Sequence, residues 1–149
     1  MDIPAFQQKM LRWYAQNKRD LPWRTTTDPY ATLVSEMMLQ QTQVDRVIPK
    51  YRAFLARFPT LAALASAPVA DVLHLWSGLG YNRRALNLQK ACQRVFSDYA
   101  GVFPSDPLLL ESLPGIGPYT AAAVASFAFN RDVPCNDKNI LIVMIHELN

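Results

Sequence analysis

Two carboxylic acids in contrasting surroundings are the side chains with the clearest chemical potential. Glu36 lies in an apolar run between Leu33 and Leu39, so a helix through it should desolvate its carboxyl and raise its pKa. Asp137 precedes a helical segment, whose N-terminus should keep a carboxylate ionised. Such a pair suits cleavage of a glycosidic bond, because one acid protonates the leaving group and the other stabilises the sugar cation. The structural alternatives are a solvated helical glutamate and a helix cap.

A series of helical patterns must position these acids. Asp28-Pro29 is typical of an N-cap followed by proline at the first helical position, and it predicts the start of the helix that carries Glu36. The strongest amphipathic pattern runs from Val44 to Phe58. Further helices are predicted over residues 3–16, 60–64, 68–76, 82–99, 105–113 and 118–129, and near Lys138. With no alternating strand pattern, we predict an all-α fold of eight or nine short helices in a single domain, 1–149.

A glycine-containing turn separates two of these helices. Gly115 and Gly117 permit positive φ and close backbone approach, and a helix then begins at Pro118. Free N–H groups at such a helix start can bind an anion such as a phosphate, although a corner without a ligand is the alternative. With the small residues that follow Thr120, the segment resembles the helix-hairpin-helix motif of DNA repair enzymes. This resemblance implies that Gly115, Gly117 and Thr120 contact DNA phosphates.

Several motifs together resemble the MutY-type adenine DNA glycosylases of the helix-hairpin-helix (HhH-GPD, endonuclease III-like) superfamily. The matching segments are residues 21–24 (Leu-Pro-Trp-Arg), 29–30 (Pro-Tyr), 35–42 (Ser-Glu-Met-Met-Leu-Gln-Gln-Thr), 78–81 (Gly-Leu-Gly-Tyr), 113–120, and Asp137 with Asn139. The similarity runs over essentially the whole chain. It implies the helix-hairpin-helix glycosylase fold, mostly its six-helix-barrel part with an incomplete second half. It also implies excision of adenine mispaired with 8-oxoguanine or guanine in double-stranded DNA.

The resemblance also implies roles for individual residues. Glu36 would protonate adenine and activate or guide water, and Asp137 would stabilise the sugar cation. Tyr119 and Asn139 would assist both by hydrogen bonding.

Other residues would contact the DNA. Gln41 would wedge into the base stack where adenine leaves. Residues expected to face the oxidised guanine are Thr42, Leu79 and Tyr81, and those expected to form the adenine pocket are Trp23 and Arg24. Arg83 and Arg84 place two cations beside these contacts, so we predict that they bind phosphates, with a solvated helix start as the alternative.

Tyr119 separates subfamilies, because the endonuclease III branch has at this position a lysine that attacks the sugar. A phenol cannot form that Schiff base, so we predict a monofunctional glycosylase. The alternatives are a thymine or uracil mismatch glycosylase, an endonuclease III-like enzyme and a catalytically inactive DNA-binding module. The run from Leu39 to Thr42 favours adenine.

The two cysteines, Cys92 and Cys135, depart from the family pattern. A 4Fe-4S cluster is expected of the family, but the four cysteines that hold it are absent here, so we predict no cofactor in this chain. The chain is interpreted either as a fragment or as a compact variant. A fragment should leave an apolar face exposed, and the apolar run Ile140, Leu141, Val143, Met144 and Ile145 is the expected place.

Bulk properties add little to this interpretation. A net charge of +3 is common among proteins with no nucleic-acid role. The N-terminal residues carry charges throughout, and no signal peptide or transmembrane run is recognisable. We therefore expect a cytoplasmic protein, nucleoid-associated if it is bacterial or archaeal, with no membrane association. The resemblance implies a monomer whose partner is mispaired double-stranded DNA.

Overall fold

A computed structural model describes residues 2–148, without the side chains of Met144 and residues 146–148. The described residues contain no strand, and the all-α prediction is confirmed. The helices are α1 (Ile3–Asn17), a 3-10 turn (Pro22–Arg24), α2 (Pro29–Leu39), α3 (Val44–Arg57), α4 (Leu61–Ala65), α5 (Val69–Trp76), α6 (Arg83–Asp98), α7 (Pro107–Glu111), α8 (Pro118–Phe129) and α9 (Lys138–Leu148).

Side-chain caps and prolines determine where several helices begin. Asp28 accepts a hydrogen bond from the N–H of Tyr30 at 3.0 Å, and Pro29 occupies the first helical position of α2. Thr60 caps α4 in the same way, by accepting a hydrogen bond from the N–H of Ala63. These contacts satisfy backbone donors that have no partner inside a helix.

The core forms around α2, which packs against α3, α6 and α8. Eight of its 11 residues are buried, because its apolar side chains face neighbours in nearly every direction. Leu33, Val34 and Met38 are fully inaccessible, and Trp76, Phe54 and Phe58 fill the space between α3 and α5.

The first and last helices behave differently from the rest. None of the residues of α1 is buried, and Trp13 and Tyr14 are exposed. The apolar side chains of Ile140, Leu141, Val143 and Ile145 on α9 are also exposed, whereas the side chain of Met144 lies outside the described residues. Among the described residues, no helix has both the length and the apolar character needed to cross a bilayer.

Candidate active site

A cavity of about 640 Å³ lies between the 3-10 turn, α2 and α8. Glu36 from α2 and Tyr119 from α8 line it, together with Trp23 and Arg24 from the turn. The structure therefore brings four of the predicted site residues to one cavity. Tyr14 of α1 lines it as well, although no motif in the sequence indicated a role for this residue.

Glu36 is half-buried at the cavity wall, flanked along α2 by the buried residues Ser35 and Met37. Burial removes water from the carboxyl and raises the pKa of Glu36 to about 7. A large fraction of this carboxyl is therefore protonated near neutral pH. That state is what a general acid requires.

Tyr119 lies in the first turn of α8 and is 39% exposed. Burial, together with the negative charges of Glu36, Asp137 and Cys135, raises its pKa to about 12. Both carboxyls therefore lie within electrostatic range of one phenol, although they are 101 positions apart in the chain (137 − 36).

Asp137 occupies the N-cap position before α9. Its Oδ1 accepts a hydrogen bond from the N–H of Ile140 at 2.7 Å, so the capping interpretation is correct in structural terms. Asp137 is half-buried but is not one of the residues that line the cavity. Asn139 is exposed in the first turn of α9, and within the described residues it makes no hydrogen bond to Glu36 or Asp137.

The 3-10 turn is held in place by aromatic contacts. The rings of Trp23 and Tyr51 meet edge to face with centroids 5.5 Å apart. The guanidinium of Arg24 lies 5.7 Å from the ring centroid of Tyr14 and donates to the carbonyl of Arg19 at 2.9 Å. An indole and a guanidinium thus border the cavity, a combination that suits a planar heteroaromatic ligand.

Two loops carry residues predicted to enter DNA: the α2–α3 loop (residues 40–43) and the α5–α6 loop (residues 77–82). Gln41 and Tyr81 both adopt left-handed φ values, 54° and 48°, and both are exposed. A non-glycine residue in this region is strained and is often functional. The hydroxyl of Thr42 joins the loops by donating to the carbonyl of Leu79 at 3.4 Å.

The structure corrects the predictions for two side chains. Leu79 is only 5% exposed and packs in the core, so its side chain cannot face an oxidised guanine. Thr120 is 3% exposed, and its hydroxyl accepts a hydrogen bond from Nε2 of Gln40 at 3.2 Å. Its backbone N–H remains without a partner among the described residues. Gln40 was not predicted as a site residue, because two adjacent glutamines give no indication of which side chain faces the protein interior.

The hairpin turn between α7 and α8 has one left-handed glycine. Gly115 has φ of 73°, and a Cβ there would lie 2.5 Å from the Cβ of Asn87 on α6. Gly117 has φ of −90°, so the expectation of positive φ is wrong there, but no atom lies within 4 Å of the place of its Cβ. The N–H groups of Tyr119 and Thr120 have no hydrogen-bond partner in the described part of the chain. These free N–H donors, with open space beside Gly117, could bind an anion.

Arg84 does not have the environment of a phosphate ligand. It is 9% exposed, and its guanidinium donates to backbone carbonyls, including those of Met37 at 2.8 Å and Gly80 at 3.0 Å. The prediction for Arg84 is therefore wrong, because its Nη1 and Nη2 groups donate to acceptors inside the protein. Arg83 is exposed, so its predicted phosphate contact stays a prediction.

The thiols do not fit an iron–sulfur cluster. Cys92 is buried in the core on α6, and burial raises its pKa to about 12. Cys135 is half-buried before α9, where burial raises its pKa, a hydrogen bond from Ser126 opposes this effect, and the charge of Glu36 adds to it. Across residues 2–148, no group of three or more His, Cys, Asp or Glu side chains could hold a metal.

Comparison with known proteins places this geometry in a wider group. The chain is 44% identical over 146 residues to the adenine DNA glycosylase of Buchnera aphidicola subsp. Baizongia pistaciae, covering 97% of this chain and 42% of that protein. It is 45% identical over 152 residues to the adenine DNA glycosylase of Rattus norvegicus, covering 96% and 30% respectively. The chain thus spans less than half the length of these curated relatives.

A solved structure of a thermostable thymine-DNA glycosylase superposes with a TM-score of 0.89 at 30% identity, covering 95% of this chain and 65% of that one. Residues 34–146 match the family described as "HhH-GPD superfamily base excision DNA repair protein", so the match takes in Glu36, Tyr119 and Asp137. The chain belongs to the HhH-GPD superfamily of base excision DNA repair proteins.

Proposed function

We propose that this chain is the catalytic core of a monofunctional DNA glycosylase that removes adenine mispaired with 8-oxoguanine or guanine. The observation that carries the proposal is the position of Glu36, whose pKa is raised to about 7, at the wall of a cavity of about 640 Å³ that Tyr119 and the 3-10 turn also line. Curated relatives with 44% and 45% identity are named adenine DNA glycosylases, which supports the choice of base.

The reaction begins when the mispaired adenine leaves the duplex and enters the cavity beside Trp23 and Arg24. Glu36, whose pKa is about 7, transfers its proton to a ring nitrogen of the base. The bond between that base and the sugar then breaks, and its electron pair leaves with the adenine. The carboxylate of Asp137 stabilises the resulting oxocarbenium ion.

Water completes the reaction. The ionised Glu36 accepts a proton from a water molecule while the oxygen of that water bonds to the anomeric carbon of the sugar. This step leaves an abasic site in the DNA and restores the protonated form of Glu36. Tyr119 stays protonated, since its pKa is about 12, and it donates a hydrogen bond without attacking the sugar. The strand is not cut, because no amine forms a Schiff base at this position.

The hairpin and the two loops hold the DNA in this scheme. The free N–H groups of Tyr119 and Thr120 bind a phosphate, and Gly117 leaves room for it. Gln41 fills the space that the extruded base leaves, and Tyr81 contacts the opposite strand.

Single-turnover excision tests the proposal. The substrates are duplexes with adenine opposite 8-oxoguanine, adenine opposite guanine and thymine opposite guanine. We expect excision of adenine, with Glu36→Gln slowing it by about 10²–10⁴-fold. Glu111→Gln, which removes an exposed carboxyl on α7, is the matched control and should retain the wild-type rate. Excision that survives Glu36→Gln contradicts the mechanism, and tight binding without any excision indicates an inactive DNA-binding module.

Thymine excision is the second candidate, because the solved thymine-DNA glycosylase superposes with a TM-score of 0.89. Faster removal of thymine from the thymine–guanine duplex than of adenine from either adenine duplex would establish it.

A further inference from the structure

The guanidinium of Arg84 is buried where the α2–α3 and α5–α6 loops meet. It extends from the first turn of α6 and lies between the rings of two residues, 5.4 Å from the centroid of Trp76 and 5.6 Å from that of Tyr81. A buried cation needs several acceptors to replace its lost hydration. The backbone of the two loops supplies them.

One set of acceptors comes from the C-terminal end of α2. Nη1 of Arg84 donates to the carbonyls of Met37 at 2.8 Å and Met38 at 3.1 Å, and it also contacts the carbonyl of Gln40. The last carbonyls of a helix lack partners within the helix and carry partial negative charge, so a cation there is stabilising. The residue that follows these carbonyls is Gln41, in its left-handed conformation.

The second set comes from the opposite loop. Nη2 of Arg84 donates to the carbonyls of Leu79 at 3.2 Å and Gly80 at 3.0 Å and to the hydroxyl of Thr42 at 3.2 Å. The residue that follows these carbonyls is Tyr81, which is also left-handed. One side chain thus fixes the backbone immediately before both exposed residues.

We propose that Arg84 is a positioning residue that holds Gln41 and Tyr81 in the conformations with which they enter DNA, and that it therefore acts on base extrusion and not on bond cleavage. This inference rests on the proposed function, since it assumes that both residues enter the duplex. Arg84 is 9% exposed and is not one of the residues that line the cavity with Glu36.

Arg84→Lys is the variant that tests this role, because it keeps the charge but cannot supply two nitrogens to two separate sets of acceptors. The matched control is Arg57→Lys. Arg57 also has a bonded guanidinium, to Asp71 at 3.0 Å, but it lies 13 residues from Val44, about 20 Å along α3 from the start of that helix.

Extrusion is measured with 2-aminopurine, an isomer of adenine whose fluorescence rises when it leaves the stack, placed at the target position. The measurement uses the Glu36→Gln background, so that no base is removed. We expect Arg84→Lys to abolish most of the rise seen in this background and Arg57→Lys to leave it unchanged. Gln41→Ala alone should also lower the fluorescence rise. The double variant with Gln41→Ala and Arg84→Lys should show no further decrease, because both changes act at the same step.

Excision kinetics separate positioning from general damage to the fold. In a fully stacked duplex, misplacement of the wedge should slow excision on the order of 100-fold. On a target that has no pairing partner and is therefore extruded more easily, such as an adenine in a single-base bulge, the same variant should excise closer to the wild-type rate, and circular dichroism at the assay temperature measures its folded fraction. Equal losses on both substrates in a folded variant, or an unchanged fluorescence rise, overturn the proposal.

A second variant covers the case in which Arg84→Lys does not fold. Thr42→Val removes one acceptor of Arg84 and the hydroxyl bond to Leu79. It should weaken extrusion in the same direction and spare the bulged substrate, and a loss confined to the bulged substrate would refute the idea. If the unmodified chain removes no base from any duplex, the proposed function fails, whereas the fluorescence comparison still decides the role of Arg84.

Discussion

Replacing Glu36 with glutamine should stabilise the fold while slowing excision, and the stabilisation should depend on pH. The change keeps the size and shape of the side chain but removes its ionisation. In the folded chain the pKa of Glu36 is raised from 4.5 to about 7 by burial. Between these values the folded chain retains a proton that the unfolded chain has released, so wild-type stability falls as pH rises through this window.

The size of this effect follows from the two pKa values. A rise from 4.5 to about 7 corresponds to about 3 kcal/mol at 1.36 kcal/mol per pKa unit. The wild type is therefore destabilised by about 1 kcal/mol at pH 5 and by about 3 kcal/mol at pH 8. Glu36→Gln escapes this loss, and at pH 8 its melting temperature should be about 6–12 °C higher than that of the wild type. Tyr119 and Cys135 face the same carboxyl, but their raised pKa values keep both neutral across this window.

Urea unfolding at pH 5 and pH 8, followed by circular dichroism, measures the difference. The control is Glu111→Gln, because that carboxyl is exposed and its removal should change stability by less than about 0.5 kcal/mol at either pH. Equal stabilisation by Glu36→Gln at both pH values would refute the reasoning, since it would mean that the carboxyl is not desolvated in the folded chain.

Three further results are expected. Gly115→Ala should destabilise the chain by about 1–3 kcal/mol in urea unfolding, because it places a Cβ at φ of 73° against Asn87, while Gly117→Ala should leave stability nearly unchanged; equal effects would contradict the geometry. Arg83→Gln should reduce the slope of log affinity against log salt by about 1, and an unchanged slope would remove Arg83 from the interface. Borohydride should trap no covalent complex with DNA, because Tyr119 offers no amine; efficient trapping would overturn monofunctional chemistry.

The helices were predictable where local chemistry determines their ends. Asp28 and Thr60 are capping side chains whose effect needs only the next few residues, so α2 and α4 begin where the sequence predicted. The partial burial of Glu36 was predictable for a related reason, because apolar residues surround it on every side of α2.

Adjacent residues of the same type were not distinguishable. Arg83 and Arg84 differ by about 100° around α6, so one faces solvent and the other faces the loop carbonyls. That outcome depends on where α2 and the α5–α6 loop meet, which no local pattern encodes. Leu79 is a similar case, since an apolar residue between glycines suits either a DNA contact or the core, and tertiary packing places it in the core.

The burial of α2 limits how enzymes of this architecture can diverge. The helix that carries Glu36 contacts three other helices, so substitutions of its buried residues should destabilise the fold. The side chains that border the cavity from the 3-10 turn and α1 are half-buried or exposed, and they tolerate replacement more readily. New base preferences can therefore evolve by exchanging those bordering residues, while the proton donor stays locked in its place by the scaffold.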